Sequence, residues 1–134
     1  MKKDIVTPEV TDVSIAVVPR QEDGADALWD IYLINEGAEA LENVLITSQG
    51  YGSIDGVDKT TTVLRHFHQT LPARQAIKIE PIQPALFGIN NEYWVSFNSG
   101  DHMLDKRFLF RAGYISESAL QLLPVIDRPG VVLS

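Results

Sequence analysis

The chain predicts an all-β fold, an immunoglobulin-like β-sandwich of about seven antiparallel strands with a short carboxy-terminal extension. Three observations carry that expectation. Short apolar runs recur along almost all of the 134 residues, each stopped by Gly, Asn, Asp or Pro. No stretch sustains the 3.6-residue period of a long helix. Cysteine is absent, so the sandwich would lack a disulfide and rest on its core, which a chain of this length can bury.

The elements follow in order. Residues 10–18 read as a first strand, with Val13, Ile15 and Val17 on one face and Asp12 and Ser14 on the other. Pro19 stops it, and residues 21–26 form a polar loop. The second strand, 28–35, is apolar on both faces: Trp29, Ile31 and Leu33 lie on one side, Leu28, Tyr32 and Ile34 on the other, with Asp30 the exception. After a turn at 35–38, a third strand covers 41–49, until Gly50-Tyr51-Gly52 breaks it and 53–59 follow as a loop.

A fourth strand spans 60–70, rich in β-branched residues at its start. Leu71-Pro72-Ala73-Arg74 turns the chain into a fifth strand, 76–80, which Pro81 and Pro84 end. Residues 86–91 are a crossover with room for one helical turn. The sixth strand, 92–98, aims Tyr93, Val95 and Phe97 inward and Trp94 and Ser96 outward. Ser99-Gly100-Asp101 signals a hairpin, and the seventh strand, 103–111, turns Leu104, Phe108 and Phe110 to the core. Tyr93 stands where such folds carry a tyrosine whose hydroxyl bonds back to the preceding loop.

One domain, 1–134, results, with a core over about 10–111 and an extension over about 112–134. In the extension Ser116 is placed to cap one or two turns over 117–123, ended by Pro124. Val125-Ile126 and Val131-Val132-Leu133 are apolar pieces that either pack back on the sandwich or dock on another chain.

Charge narrows the function classes. The formal net charge is −7: residues 1–58 hold twelve acids against three bases, and residues 59–134 six acids against eight bases. An acidic half of this kind argues against phosphate-backbone binding and nucleic-acid partners. The uneven split permits complementarity between copies of the chain. No apolar segment approaches a membrane span, and the two lysines near the start have no apolar h-region behind them, which points to a cytoplasmic protein with no membrane partner.

Motifs for chemistry are sparse. His66 and His68, at i and i+2 of a strand, share a face, and with His102 or a carboxylate as third ligand they form the one weak metal candidate. Asp55-Gly56-Val57-Asp58 lacks the spaced ligands and closing Glu of a calcium loop and reads as an acidic turn. There is no G-x-S-x-G elbow, Walker loop or dinucleotide fingerprint, so neither catalytic residues nor a cofactor are expected. The aromatic residues favour binding instead: Tyr32 and Trp94 lie on the faces opposite the core, and Tyr51 sits between glycines in a turn. Such residues bury a large area at low entropic cost at interface centres.

Laid out this way, the chain resembles a family of small uncharacterised bacterial proteins, some of which are labelled phenylalanyl-tRNA synthetase subunit. The resemblance rests on Trp29-Asp30-Ile31-Tyr32-Leu33-Ile34-Asn35, Val44-Leu45-Ile46, Leu71-Pro72-Ala73, Asn90-Asn91-Glu92, Ala119-Leu120-Gln121 and Pro124-Val125. None of these pieces is a catalytic motif. What it implies is at most an auxiliary part in tRNA charging, without synthetase machinery. From the residues themselves the expected function is non-catalytic: protein–protein contacts, including self-association, with a ligand- or metal-binding module on the His66/His68 face as the alternative.

Overall fold

The computed structural model describes residues 9–21 and 27–134. The first eight residues and 22–26, where the sequence suggested the start of the chain and most of a polar loop, lie outside the described residues. The rest is mostly β, in two antiparallel sheets. The strands are β1 (Val13–Pro19), β2 (Trp29–Asn35), β3 (Leu41–Ile54), β4 (Val57–Thr60), β5 (Leu64–Leu71), β6 (Gln75–Ile82), β7 (Asn90–Ser99), β8 (His102–Phe110), β9 (Gln121–Leu122) and β10 (Pro129–Leu133). Among the described residues no helix is long and apolar enough to cross a membrane.

The first sheet runs β6-β2-β1-β10-β9; the second runs β4-β3-β7-β8, with β5 also paired to β3. Alternating apolar residues drive both sheets to one shared core. Val13, Ile15, Val17, Ile31 and Leu33 from the first sheet meet Val44, Ile46, Val95, Phe97, Phe108 and Phe110 from the second, all buried in a single cluster. Trp29 closes one end, edge-on to Phe87 at 5.1 Å between ring centroids. That inward set is the one the alternation predicted.

Several boundaries differ from the expectation. Pro81 does not end the fifth strand, because β6 is an edge strand on which proline's missing N–H is tolerated, and it runs on to Ile82. Gly50 and Gly52 do not break the third strand; β3 runs on to Ile54. The glycines are needed for close approach, since a Cβ at either position would lie 3.1 Å from side-chain atoms of the buried Ile89. Residues 53–59 are not a loop but a hairpin, in which Asp55 and Gly56 both take positive φ, 52° and 79°. An Asp-Gly pair is suited to that turn, so the acidic turn is a β-turn inside a sheet. Finally, the 60–70 strand is two strands: Thr61 leaves the ladder to bond Gly50 through both its amide (2.8 Å) and its Oγ1 (2.7 Å).

The extension is part of the fold. Its helical content is the single 3-10 turn Glu117–Ala119, and Ser116 makes no capping bond, its hydroxyl pairing with Ser118 instead. Strand β10 then adds to the free edge of β1 in the register Ile15↔Leu133, Ala16↔Val132, Val17↔Val131. Leu123 and Ile126 fold over the outside of the first sheet and pack with Ala16, Val18, Tyr32, Ile34 and Val132. Leu123 lies over Gly130, where a Cβ would come within 2.6 Å of its Cδ1. This explains the two-sided apolar pattern of 28–35. The same cover reaches Ser14 of β1, which is buried with its Oγ 3.1 Å from Ser134 Oγ, while Asp12 stays exposed.

Candidate functional site

A β-bulge builds the most organised polar site. Strand β6 alternates in sequence, so Glu80 reads as outward like Lys78. In the ladder with β2, however, Ile31 pairs with Glu80 while Tyr32 pairs with Lys78, leaving Ile79 as the extra residue. The bulge re-aims every side chain beyond it. Glu80 therefore enters the space between the sheets, its side chain only 12% exposed.

There its carboxylate gathers three strands of the opposite sheet. Ser48 Oγ of β3 donates to Oε1 at 3.0 Å, with Oε2 at 3.2 Å. The Nε2–H of His66 on β5 donates to Oε1 at 2.7 Å. The Tyr93 hydroxyl of β7 donates to Oε2 at 3.3 Å. Tyr93 is thus the buried structural tyrosine the sequence suggested, but it bonds a carboxylate on β6 rather than the backbone of the preceding loop. Burial and the neighbouring Glu80 charge raise its ionisation well above the ordinary 10.0. The arrangement is not a catalytic triad. Ser48 and His66 both donate to the same acid, so the imidazole does not stand between carboxylate and hydroxyl to act as a base.

Beside Glu80 lies a cavity of about 230 Å³, open to solvent, with Ser48, Asn91 and Tyr93 on its polar side and Leu64, Ile82 and Leu86 on its apolar side. Asn91 is held by its amide nitrogen, which donates to the carbonyls of Leu86 (2.8 Å) and Ile89 (3.1 Å).

The histidine candidates divide. His66 and His68 occupy β5 opposite Ile46 and Val44, but His66 is committed to Glu80. His102 begins β8 beyond the hairpin and lines a different cavity, with Glu9, Asp12 and Glu39. Among the described residues no three His, Asp or Glu side chains are grouped to hold a metal. Spacing on one strand cannot supply the third ligand that strand order places elsewhere.

The interaction candidates divide as well. Tyr32 is half-buried and packs with Leu123 and Ile126 of the chain's own extension. Tyr51 lies inside β3 rather than in a turn, and its hydroxyl donates to Glu92 Oε1 at 3.2 Å. Trp94 does point outward, 45% exposed, with Nε1 donating to Asp105 Oδ2 at 3.1 Å. It has apolar company the sequence did not single out. Leu45 (39% exposed) pairs across the ladder with Phe67 (61% exposed), and Thr47, two residues on, pairs with Trp94. Direct and diagonal neighbours on one face of a sheet touch. The outer face of the second sheet thus carries an exposed Phe67–Leu45–Trp94 stripe, flanked by Arg65, Arg107, Glu92 and Asp105, with Arg107 Nε 3.7 Å from Glu92.

On the outside of the first sheet Asp30 is nearly buried. Arg20 grips it with Nε at 3.0 Å and a terminal nitrogen at 2.9 Å, and Lys78 stands at 3.5 Å. Burial alone would raise this carboxyl, but the Arg20 hydrogen bonds and the charges of Lys78 and Arg20 outweigh it and hold it below 3.8. No family model matches the chain, and no curated protein or solved structure is significantly similar to it.

Proposed function

We propose that the chain is a non-catalytic, immunoglobulin-like β-sandwich that self-associates through the outer face of its second sheet. The sandwich reading is supported by strand order. In that architecture the first, second and fifth strands share one sheet and the third, sixth and seventh the other. Here β1, β2 and β6 stand together and β3, β7 and β8 stand opposite, while β4 and β5 both pair with β3 instead of joining the first sheet as a fourth strand would.

The observation that carries the functional reading is an asymmetry between outer faces. Both sheets carry outward apolar residues. The first sheet's are covered by Leu123 and Ile126 of the same chain, whereas Phe67, Leu45 and Trp94 have no cover among the described residues. A second copy is the favoured occupant because of charge. The chain carries −7 overall, yet around Trp94 the cations Arg65 and Arg107 match the acids Glu92 and Asp105. Two acidic chains can meet on a locally neutral, apolar face without the repulsion they would meet elsewhere.

Four strands about 5 Å apart and roughly eight residues long present a flat area of about 20 by 25 Å. That is at the small end of stable interfaces, so the dimer is reversible, with micromolar or weaker affinity. Sedimentation equilibrium over a broad concentration range should show a monomer–dimer equilibrium. Phe67→Glu, an exposed change that leaves the core alone, should shift it to monomer. A wild-type chain that stays monomeric at the highest concentrations, or a Phe67→Glu chain that dimerises equally, would count against the reading.

A further inference from the structure

We infer that the cavity beside Glu80 is a binding site for an alkylammonium group, either a free small amine or the side chain of a lysine. Three hydroxyls that line this cavity have their protons engaged within the chain. The Ser48 hydroxyl gives its proton to Glu80, the Tyr93 hydroxyl does the same, and Thr61 Oγ1 donates to the Thr62 carbonyl. The high ionisation of Tyr93 keeps that proton in place at neutral pH. On the Glu80–Asn91 side, what the wall offers a ligand is acceptors.

Two of these acceptors are under-used. Glu80 Oε1 receives the short contact from His66 and the nearer one from Ser48, while Oε2 has only long contacts of 3.2 and 3.3 Å. A good O–H···O bond is nearer ~2.7–2.8 Å, so Oε2 has capacity for another donor. Asn91 is 5% exposed, and its two side-chain hydrogen bonds to the described residues both leave from the amide nitrogen. Its Oδ1 accepts no hydrogen bond among the described residues. No fully buried side-chain oxygen among the described residues lacks a partner, so this oxygen keeps some exposure, and Asn91 lines the cavity. Gly50 leaves the opening clear, since a Cβ there would stand 3.2 Å from Asn91 Oδ1.

Asn91 Oδ1 is an acceptor with no donor from the described residues, free to take one from a ligand. Beside it stands a carboxylate, and opposite it an apolar wall of Leu64, Ile82 and Leu86. An ammonium has three donors and no acceptor, and an alkyl stem of a few carbons matches the apolar side. A carboxylate or phosphate would meet acceptors with acceptors, and a hydroxyl brings a single donor and no charge to set against Glu80. This site shares neither Phe67, Leu45 nor Trp94 with the dimer face, so it stands or falls independently of self-association.

The test is a titration of the full chain, followed by backbone amide chemical shifts, with n-butylammonium chloride, N-acetyl-lysine methylamide and n-butanol at constant ionic strength. Saturable shifts at Ser48, Gly50 and Asn91 are expected for both amines, with dissociation constants in about the millimolar range for ligands this small. The neutral isostere should bind at least about tenfold more weakly. Tighter binding of the lysine derivative assigns a protein-borne lysine; equal or tighter binding of butylammonium assigns a free amine. Glu80→Gln should weaken both amines by about tenfold or more. Because that change touches the inter-sheet network, Thr62→Trp provides a second variant: Thr62 is exposed, outside any strand and lines the cavity, so the indole should block entry without altering the core. Equal shifts with butanol, no saturable shift with either amine, or unchanged amine binding in folded Thr62→Trp would overturn the assignment.

Discussion

His66 Nε2 lies 2.7 Å from Glu80 Oε1, and this contact fastens β5, at one edge of the second sheet, to β6, at one edge of the first. Ser48 and Tyr93 add two more ties from the same carboxylate. A bulge at Ile79 thus converts an apparently outward acid into the polar clasp between two sheets that otherwise meet through apolar side chains.

Glu80→Ala should be among the more damaging single changes. It leaves the Ser48 hydroxyl, the His66 ring and the buried Tyr93 hydroxyl short of an acceptor, at a cost of roughly 2–3 kcal/mol. His66→Ala removes one partly exposed donor and should cost about 1 kcal/mol. Urea unfolding followed by tryptophan fluorescence gives both numbers, and a loss for His66→Ala equal to that for Glu80→Ala would refute the hub.

Tyr93 makes the fold sensitive to alkali. Its ionisation is raised by burial and by Glu80, so its contribution is fully present below the ordinary value of 10.0 and is lost as pH rises through the higher folded value. Tyr93→Phe should lower stability at neutral pH by about 0.5–1.5 kcal/mol and flatten the alkaline decline. Thermal midpoints of the two proteins across pH 9 to 12, on the order of the tyrosine range, should converge as pH rises.

Asp30 governs the acid side. Its carboxyl is held below 3.8, so the stability it supplies is present above that value and is lost as pH falls through the lower folded one. Arg20→Ala should cost roughly 1–3 kcal/mol at neutral pH, with a smaller difference in strong acid. A penalty for Arg20→Ala that does not change between neutral and acid solution would show that the pair is not electrostatic.

The extension should prove structural. Leu123→Ala empties a buried site over Gly130 and should destabilise by about 2–4 kcal/mol. Deleting residues 121–134 removes β10 and uncovers Ala16, Val18, Tyr32 and Ile34. The shortened chain should bind an apolar dye and aggregate where the full chain does not, whereas a dispensable extension would leave dye binding unchanged.

The strands were legible because alternation separates a buried face from a wet one, and the inward sets of β2, β7 and β8 follow it. Asp55-Gly56 carried a hairpin signal that its acidic neighbours obscured. The clasp was hidden for a physical reason. Its four residues lie on four strands, and the bulge that turns Glu80 inward depends on the register of β6 against β2, which no periodicity within 76–80 contains. Phe67 was hidden similarly, since its place beside Leu45 and Trp94 depends on which strands flank β3.

The central claim, that the outer face of the second sheet joins two copies, is tested most directly by following backbone and Trp94 indole chemical shifts with protein concentration. The account predicts concentration-dependent shifts concentrated at Leu45, Thr47, Phe67, Trp94 and Arg107, abolished in Phe67→Glu. Shifts that cluster instead on β6 or on residues 121–133, or spectra that do not change with concentration, would contradict it.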